Sequence, residues 1–437
     1  MKYNYAEFTK NNTSKVGQSF FYLGTFFLST ALPISGIFFI FSIIISFIDT
    51  KLCLLQNKWN LSILFIGGLF IFNSLRLNLI NFDSAIYIDK KIISLDLFNW
   101  IPLFILFISS QHYLKNHSQR CTFSKYLISG TIPVLISCLM QYSFKIYGPF
   151  KTFYGLIVIF NKKIGVEEGV GVSGLFSNPN YTGIWLSISL PLLLFLIYKY
   201  KSFNYKKLFL FFTLLFLIYF IFLTSSRNAI AGLLSTLLII FGIKKIFIFI
   251  FFIFLIYLSF GVLEPFINVK NLNLIGEFQM QELTEKLSIN NFSNIKEFIR
   301  VKIWINTMRL LIQKPLFGFG ASTFPLVFYN LTNLKVQHSH NMPLQLAYDY
   351  GLPISILLTT FVTFLFIRSS INIFQAKDSD NSFLFNKCWL AACLVAILNH
   401  MNDITYYDGK ISILIWIILA GLKCIFDETN KKNKAKI

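Results

Sequence analysis

Hydrophobic residues fall along this chain in long runs separated by short polar gaps. Eleven runs are long enough to cross a bilayer at about 20 residues each. They cover Phe20–Phe47, Trp59–Leu77, Trp100–Leu114, Tyr126–Tyr142, Tyr181–Tyr198, Leu208–Leu223, Ala229–Ile243, Ile246–Leu263, Leu352–Ile367, Phe383–Leu398 and Ile411–Ile425. Several are shorter than 20 residues, so their ends must draw in flanking polar residues. The pattern predicts an all-α, polytopic transmembrane helical bundle of 11 to 12 helices over residues 1–437. It carries one large, partly helical extracytoplasmic loop over 264–341 and a basic cytoplasmic tail over 427–437.

The cations set an orientation. Gaps holding Lys115, Arg120 and Lys125, then Lys199, Lys201, Lys206 and Lys207, then Lys244 and Lys245 alternate with gaps poorer in basic residues. The positive-inside rule puts them, and the tail KKNKAKI, in the cytoplasm. Segments 145–180, 225–228, 264–341 and 400–410 then lie on the far side. Eleven crossings would leave Met1 outside, whereas Lys2, Lys10 and Lys15 argue for inside. Splitting the first run at Pro33 would restore the parity, and both counts stay open. The first run is too long for a cleavable signal peptide and lacks a small-residue cleavage site.

Composition agrees with a membrane protein: 55% of residues are hydrophobic, 13% are charged, and the mean hydropathy is +0.64. The net charge of +20 is spread over loops, not gathered into an aromatic-interleaved stripe. It therefore points to topology and anionic lipid and excludes nucleic acid. The six cysteines form no C-x-x-C pair, so neither a disulfide framework nor a zinc site is expected. There is no Walker loop, no G-x-G-x-x-G and no D-x-D pair. Nucleotide- or metal-dependent sugar transfer is thereby disfavoured, and no metal or other cofactor is expected.

Four far-side stretches carry candidate chemistry. In GVSGLFSNPNYTG, Gly171 to Gly183, Asn178 and Pro179 make a turn, and Asn180 is placed to cap the next helix with its first N–H groups free for an anion. In TSSRNAI, Arg227 sits at a membrane edge against the inside bias. Its plain role is snorkelling to headgroups; the alternative is a binding site. From Ile295 to Phe324, the spacing of Phe298, Val301, Ile305, Met308 and Ile312 predicts an amphipathic helix along the interface or over the bundle, with Arg300 on its more polar side. In VQHSHNMPLQLAYDYG, Asn341 is placed to cap a short helix with Pro343 in its first turn, so His340 lies at a helix N-terminus, where the dipole favours neutral imidazole.

The stretches SGLFSNPNYTG, SSRNA, Arg300 to Trp304 followed by GFG, and HSHN followed by a YG helix start resemble, in this order, the O-antigen ligase and polymerase superfamily of bacterial membrane glycosyltransferases. The resemblance covers about Gly171 to Leu358. It implies an inner-membrane helical bundle that binds an undecaprenyl-diphosphate-linked oligosaccharide on its periplasmic side. The glycan is then passed to a glycan or lipid acceptor without metal or nucleotide. It implies further that Arg227 and Arg300 hold the lipid diphosphate and that His340 is the essential histidine, with His338, Asn180 and Asn341 around the substrate. The family often has an arginine just before its G-x-F-x-N-P-N stretch. Here Val172 and Ser173 stand at that place, so a third phosphate contact is either missing or supplied by Lys162, Lys163 or His338.

The chemistry of the residues fits this implication. Guanidinium forks give bidentate hydrogen bonds to phosphate oxygens and stabilise a diphosphate leaving group where no magnesium is bound. Attack opposite the diphosphate would invert the anomeric centre. Two other classes remain. A transporter, such as an inorganic-carbon carrier, would need paired ionisable groups near the bilayer middle, and the apolar runs contain almost none. A non-catalytic envelope scaffold would not need the two arginines and the histidine to converge.

Overall fold

The computed structural model describes residues 2–51, 53–79, 90–164, 171–200, 202, 204–242, 245, 299–375 and 381–434. The predicted crossing Ile246–Leu263 and the first part of the large loop, 264–298, lie outside these residues. Among those described, nine helical segments are long and apolar enough to cross a membrane. The chain is an all-α polytopic bundle with almost no sheet.

The first apolar run is two helices, α1 (Lys2–Phe27) and α2 (Leu32–Thr50). Pro33 lies in the first turn of α2, where its missing N–H costs nothing, and the chain reverses just before it. The Ser35 hydroxyl donates to Gly24 O at 2.7 Å, locking the two helices together. Of the two, α2 is long and apolar enough to cross a membrane, whereas α1 is not among the candidate spans. Helix α3 (Lys58–Leu79), the short α4 (Lys90–Leu95) and α5 (Ile101–Ser110) follow, then α6 (His117–Tyr142). The one described sheet is a hairpin of β1 (Phe150–Thr152) and β2 (Ile157–Ile159), antiparallel with Phe150 opposite Ile159.

Helix α7 (Pro179–Lys199) is apolar on every side and buried along most of its length, as expected of a central helix. It packs against α6, α8 (Tyr205–Leu223) and α9 (Arg227–Phe241). Helices α10 (Ile299–Gln313), α11 (Phe324–Thr332) and α12 (Met342–Tyr350) build a second, smaller core from Ile303, Leu310, Phe324, Val327, Phe328 and Tyr348. The chain then returns to the bundle through α13 (Leu352–Gln375), α14 (Asn381–Asn402) and α15 (Gly409–Lys434). Trp389 of α14 lies against Gly421 of α15, where any added Cβ would meet the indole ring.

Arg120 does not behave as a loop cation. It is fully buried in α6, donates to Leu114 O and Lys115 O, and pairs with Glu428 at 2.5 Å. Its charge is spent on tying α6 to α15, so the inside bias of that gap rests on its lysines.

The joint between α12 and α13 is Gly351, at φ 89 and ψ 163, a region open essentially to glycine alone. A Cβ there would also run into the carbonyl of Leu316. Gly351→Ala is therefore expected to destabilise the protein by about 1–3 kcal/mol, seen as a lower melting temperature of the detergent-purified chain.

Candidate active site

The site grows from helix ends that meet at one end of the bundle. At the start of α7 the cap is Asn178, whose side chain accepts from the Asn180 N–H at 2.8 Å. Asn180 is thus not the cap. It sits in the first turn and donates Nδ2–H to Asp403 Oδ2 at 3.0 Å. The preceding Val172 and Ser173 are buried, and Gln141 Oε1 of α6 accepts both the Ser173 and Gly174 N–H groups. That stretch is structural support for α7.

Arg227 opens α9 beside this turn. Ser226 caps the helix through the Ala229 N–H, and Gly183 of α7 lies against both Ser226 and Ala229. The Arg227 side chain is exposed, and no hydrogen bond or ion pair joins it to another described residue.

In α10 the buried face is Ile303, Thr307, Leu310 and Leu311. The predicted apolar stripe faces away from this core: Ile305, Met308 and Ile312 are exposed, Val301 is half-buried, and Phe298 lies outside the described residues. The helix has two apolar stripes, and the small core of α11 and α12 takes the second one. Arg300 is half-buried, with no hydrogen bond or ion pair to another described residue. Trp304 donates its indole N–H to Ser339 O at 2.9 Å, which couples α10 to the histidine turn.

Asn341 caps α12 as expected, accepting from the Leu344 N–H at 3.0 Å, and donates Nδ2–H to Met401 O at 2.9 Å. His340 adopts φ 54, a left-handed conformation uncommon for a residue with a side chain. Its backbone N–H donates to His338 Nδ1 at 3.3 Å, and the two rings are 4.3 Å apart between centroids. The turn is braced from below. Gln345 Oε1 accepts the Ser339 N–H at 2.8 Å, while its amide N–H donates to both oxygens of buried Asp349 at 3.1 Å.

The centre of the site is a contact between His340 Nδ1 and Asp403 Oδ1 at 3.0 Å. His340 is 29% exposed and Asp403 9%. Asp403 accepts from Ile404 N–H on the same oxygen at 2.9 Å and from Asn180 on the other. Burial alone would raise its carboxyl, but hydrogen bonding and charge from His340, with the Ile404 N–H, outweigh that and hold it below the usual carboxylate value. An ionised Asp403 fixes the proton of His340 on Nδ1, leaving Nε2 as the basic nitrogen. Burial pushes His338 down to about 4, with help from His340 and Arg300 and against the pull of Asp403, so Arg300 lies close enough for its charge to act there.

That shift has a consequence for stability. A histidine near pH 4 in the fold and 6.5 when unfolded binds more protons in the unfolded state, so its contribution is intact above 6.5 and lost as pH falls toward 4. The melting temperature of the purified protein is expected to drop between about pH 7.5 and about pH 5. His338→Gln should show a smaller drop.

His340, His338, Asn180 and Asn341 are therefore brought together. Arg300 is electrostatically adjacent, and Arg227 rises from the same end of the bundle. Asp403 and Gln345 were not anticipated. Asp403 lies in the gap HMNDITYYDGK, already assigned to the same side as His340, so its carboxylate was a readable signal. His338, His340 and Asp403 also offer ligand atoms within 4.8 Å of one another, a set able to hold a divalent cation.

Fold and site together define a polytopic, all-α membrane protein with a histidine–carboxylate pair where helix ends converge. Residues 212–359 match the family model described as O-Antigen ligase, which supports placement in the O-antigen ligase and polymerase superfamily. A search of curated proteins gave no match. The matched segment holds Arg227, Arg300, His338 and His340, whereas Asn180 and Asp403 reach the site from outside it.

Proposed function

We propose that this protein transfers or polymerises an undecaprenyl-diphosphate-linked glycan on the periplasmic face of the bacterial inner membrane, in surface-polysaccharide biosynthesis. The reading is supported chiefly by the 3.0 Å contact between Asp403 and His340, a histidine inside the segment that matches the O-antigen ligase family model. His340 Nε2 takes the proton of the acceptor hydroxyl as that oxygen attacks the anomeric carbon. The bond from this carbon to the diphosphate oxygen breaks on the opposite face, which inverts the centre. Undecaprenyl diphosphate leaves with the bonding pair. Arg227 and Arg300, free of other described partners, pair with its oxygens as negative charge builds, and no metal is needed. Asn180 ties Asp403 to the start of α7, and Asn341 ties the histidine turn to the end of α14.

A general base is worth about 100- to 10,000-fold in rate. His340→Ala in the native host is expected to remove long surface glycan chains from a gel profile while the protein stays at its normal level in the membrane. A normal chain-length profile in that strain would refute the assignment. Loss of all long chains, as opposed to retention of a single repeat on its acceptor, separates a ligase from a polymerase.

A further inference from the structure

We infer that α10 is a surface-lying helix whose exposed apolar stripe is seated in the headgroup–acyl boundary of an anionic lipid leaflet. The stripe consists of Ile305, Met308 and Ile312, at steps of three and four residues, with exposures of 43%, 53% and 78%, and Leu316 in the turn just past the helix is also exposed. The opposite face is already used, packed into the small core with α11 and α12. A 15-residue helix containing Arg300, Lys302 and Arg309 is too short and too charged to cross the bilayer.

Its ends fix where it lies. Near the N-terminal end, Trp304 is bonded to Ser339 O, and the adjoining Asn341 is bonded to Met401 O, at the end of spanning helix α14. Just past the C-terminal end, Pro315 O accepts the N–H of Leu352, the first residue of spanning helix α13. Helix α10 is thereby tethered at both ends to the boundary of the membrane-spanning region on one face.

Charge selects the occupant. From residue 299 to residue 348 the chain carries Arg300, Lys302, Arg309, Lys314 and Lys335 and no Asp or Glu. An apolar stripe whose charged neighbours are all cations is the pattern that binds an anionic membrane surface, the apolar side chains sinking about 5–10 Å into the boundary. A second copy of the same face would bring like charges together. The placement does not depend on the glycosyl-transfer reading. If that reading holds, it sets Arg300 and the histidine turn at the depth where a membrane lipid carries its diphosphate.

Nitroxide labelling of the full chain tests this. Met308→Cys and Ile312→Cys are made separately in a Cys53→Ser background, since Cys121, Cys138, Cys388, Cys393 and Cys424 are buried. Each is reconstituted in nanodiscs of phosphatidylglycerol and phosphatidylethanolamine. At both positions, collisions with oxygen are expected to exceed those with a water-soluble nickel chelate several-fold, and the excess should fall when phosphatidylcholine replaces the anionic lipid. Equal access to the nickel chelate would overturn the inference, as the stripe would then face water. Exclusion of both quenchers, or spin–spin broadening between copies, would also overturn it, as protein would then cover the stripe.

Discussion

Asp403→Asn is expected to lower the transfer rate by about ten-thousand-fold, the scale seen when a histidine base is held in the wrong tautomer. Asp403 accepts hydrogen bonds in three directions, from His340, from the Ile404 N–H and from Asn180. An asparagine side chain has only one acceptor oxygen. Its amide N–H groups would face either Asn180, donor against donor, or His340, forcing the imidazole to accept at Nδ1 and carry its proton on Nε2. The base would then point a proton at the acceptor hydroxyl. Asp403 is a positioning residue, so the loss should fall on kcat with KM little changed. An equal rise in KM with kcat preserved would mean that Asp403 only holds the substrate pocket together. A lower melting temperature is also expected, because one buried hydrogen bond becomes donor against donor, so rates are compared on folded protein.

The second large effect concerns the arginines. Arg300→Ala and Arg227→Ala are each expected to cost about 100- to 1,000-fold in kcat, the range for removing one preorganised donor from a developing anion. Lysine at either position should recover only part of the loss, since a point charge cannot reproduce the two parallel N–H bonds of a guanidinium. Arg227→Ala should be benign for folding, because the side chain is exposed and joined to no other described residue. Activity unchanged in either alanine variant would remove that arginine from the site.

Much of this was legible in the residues. Length and hydropathy alone define the spanning helices, because a bilayer demands about 20 apolar residues and satisfied backbone groups whatever the side-chain packing. Pro33 marked the break in the first run. The Asn341 cap and the Pro343 start of α12 followed from local chemistry. What could not be read were choices made by tertiary packing. Helix α10 has apolar residues on two faces, and periodicity alone does not say which one the protein keeps. Asn178 and Asn180 are both capping residues two positions apart, and only the reach of Asn180 to Asp403 separates their roles. Arg120 looked like a topology signal and is instead a buried tie, because Glu428, 308 positions away, folds back to meet it. Asp403 is set by the same kind of contact: its partner His340 is 63 residues distant, and the gap 400–410 holds two carboxylates, Asp403 and Asp408, with nothing local to say which one meets a histidine.

The most direct measurement of the central claim is single-turnover transfer by the protein reconstituted in lipid. A labelled undecaprenyl-diphosphate oligosaccharide serves as donor, acceptor is in excess, and an excess of chelator is present. The account predicts transfer that is indifferent to the chelator in the wild type and at least about 100-fold slower in His340→Ala. Transfer that stops when divalent cations are removed, or that proceeds undiminished without the imidazole, would contradict it.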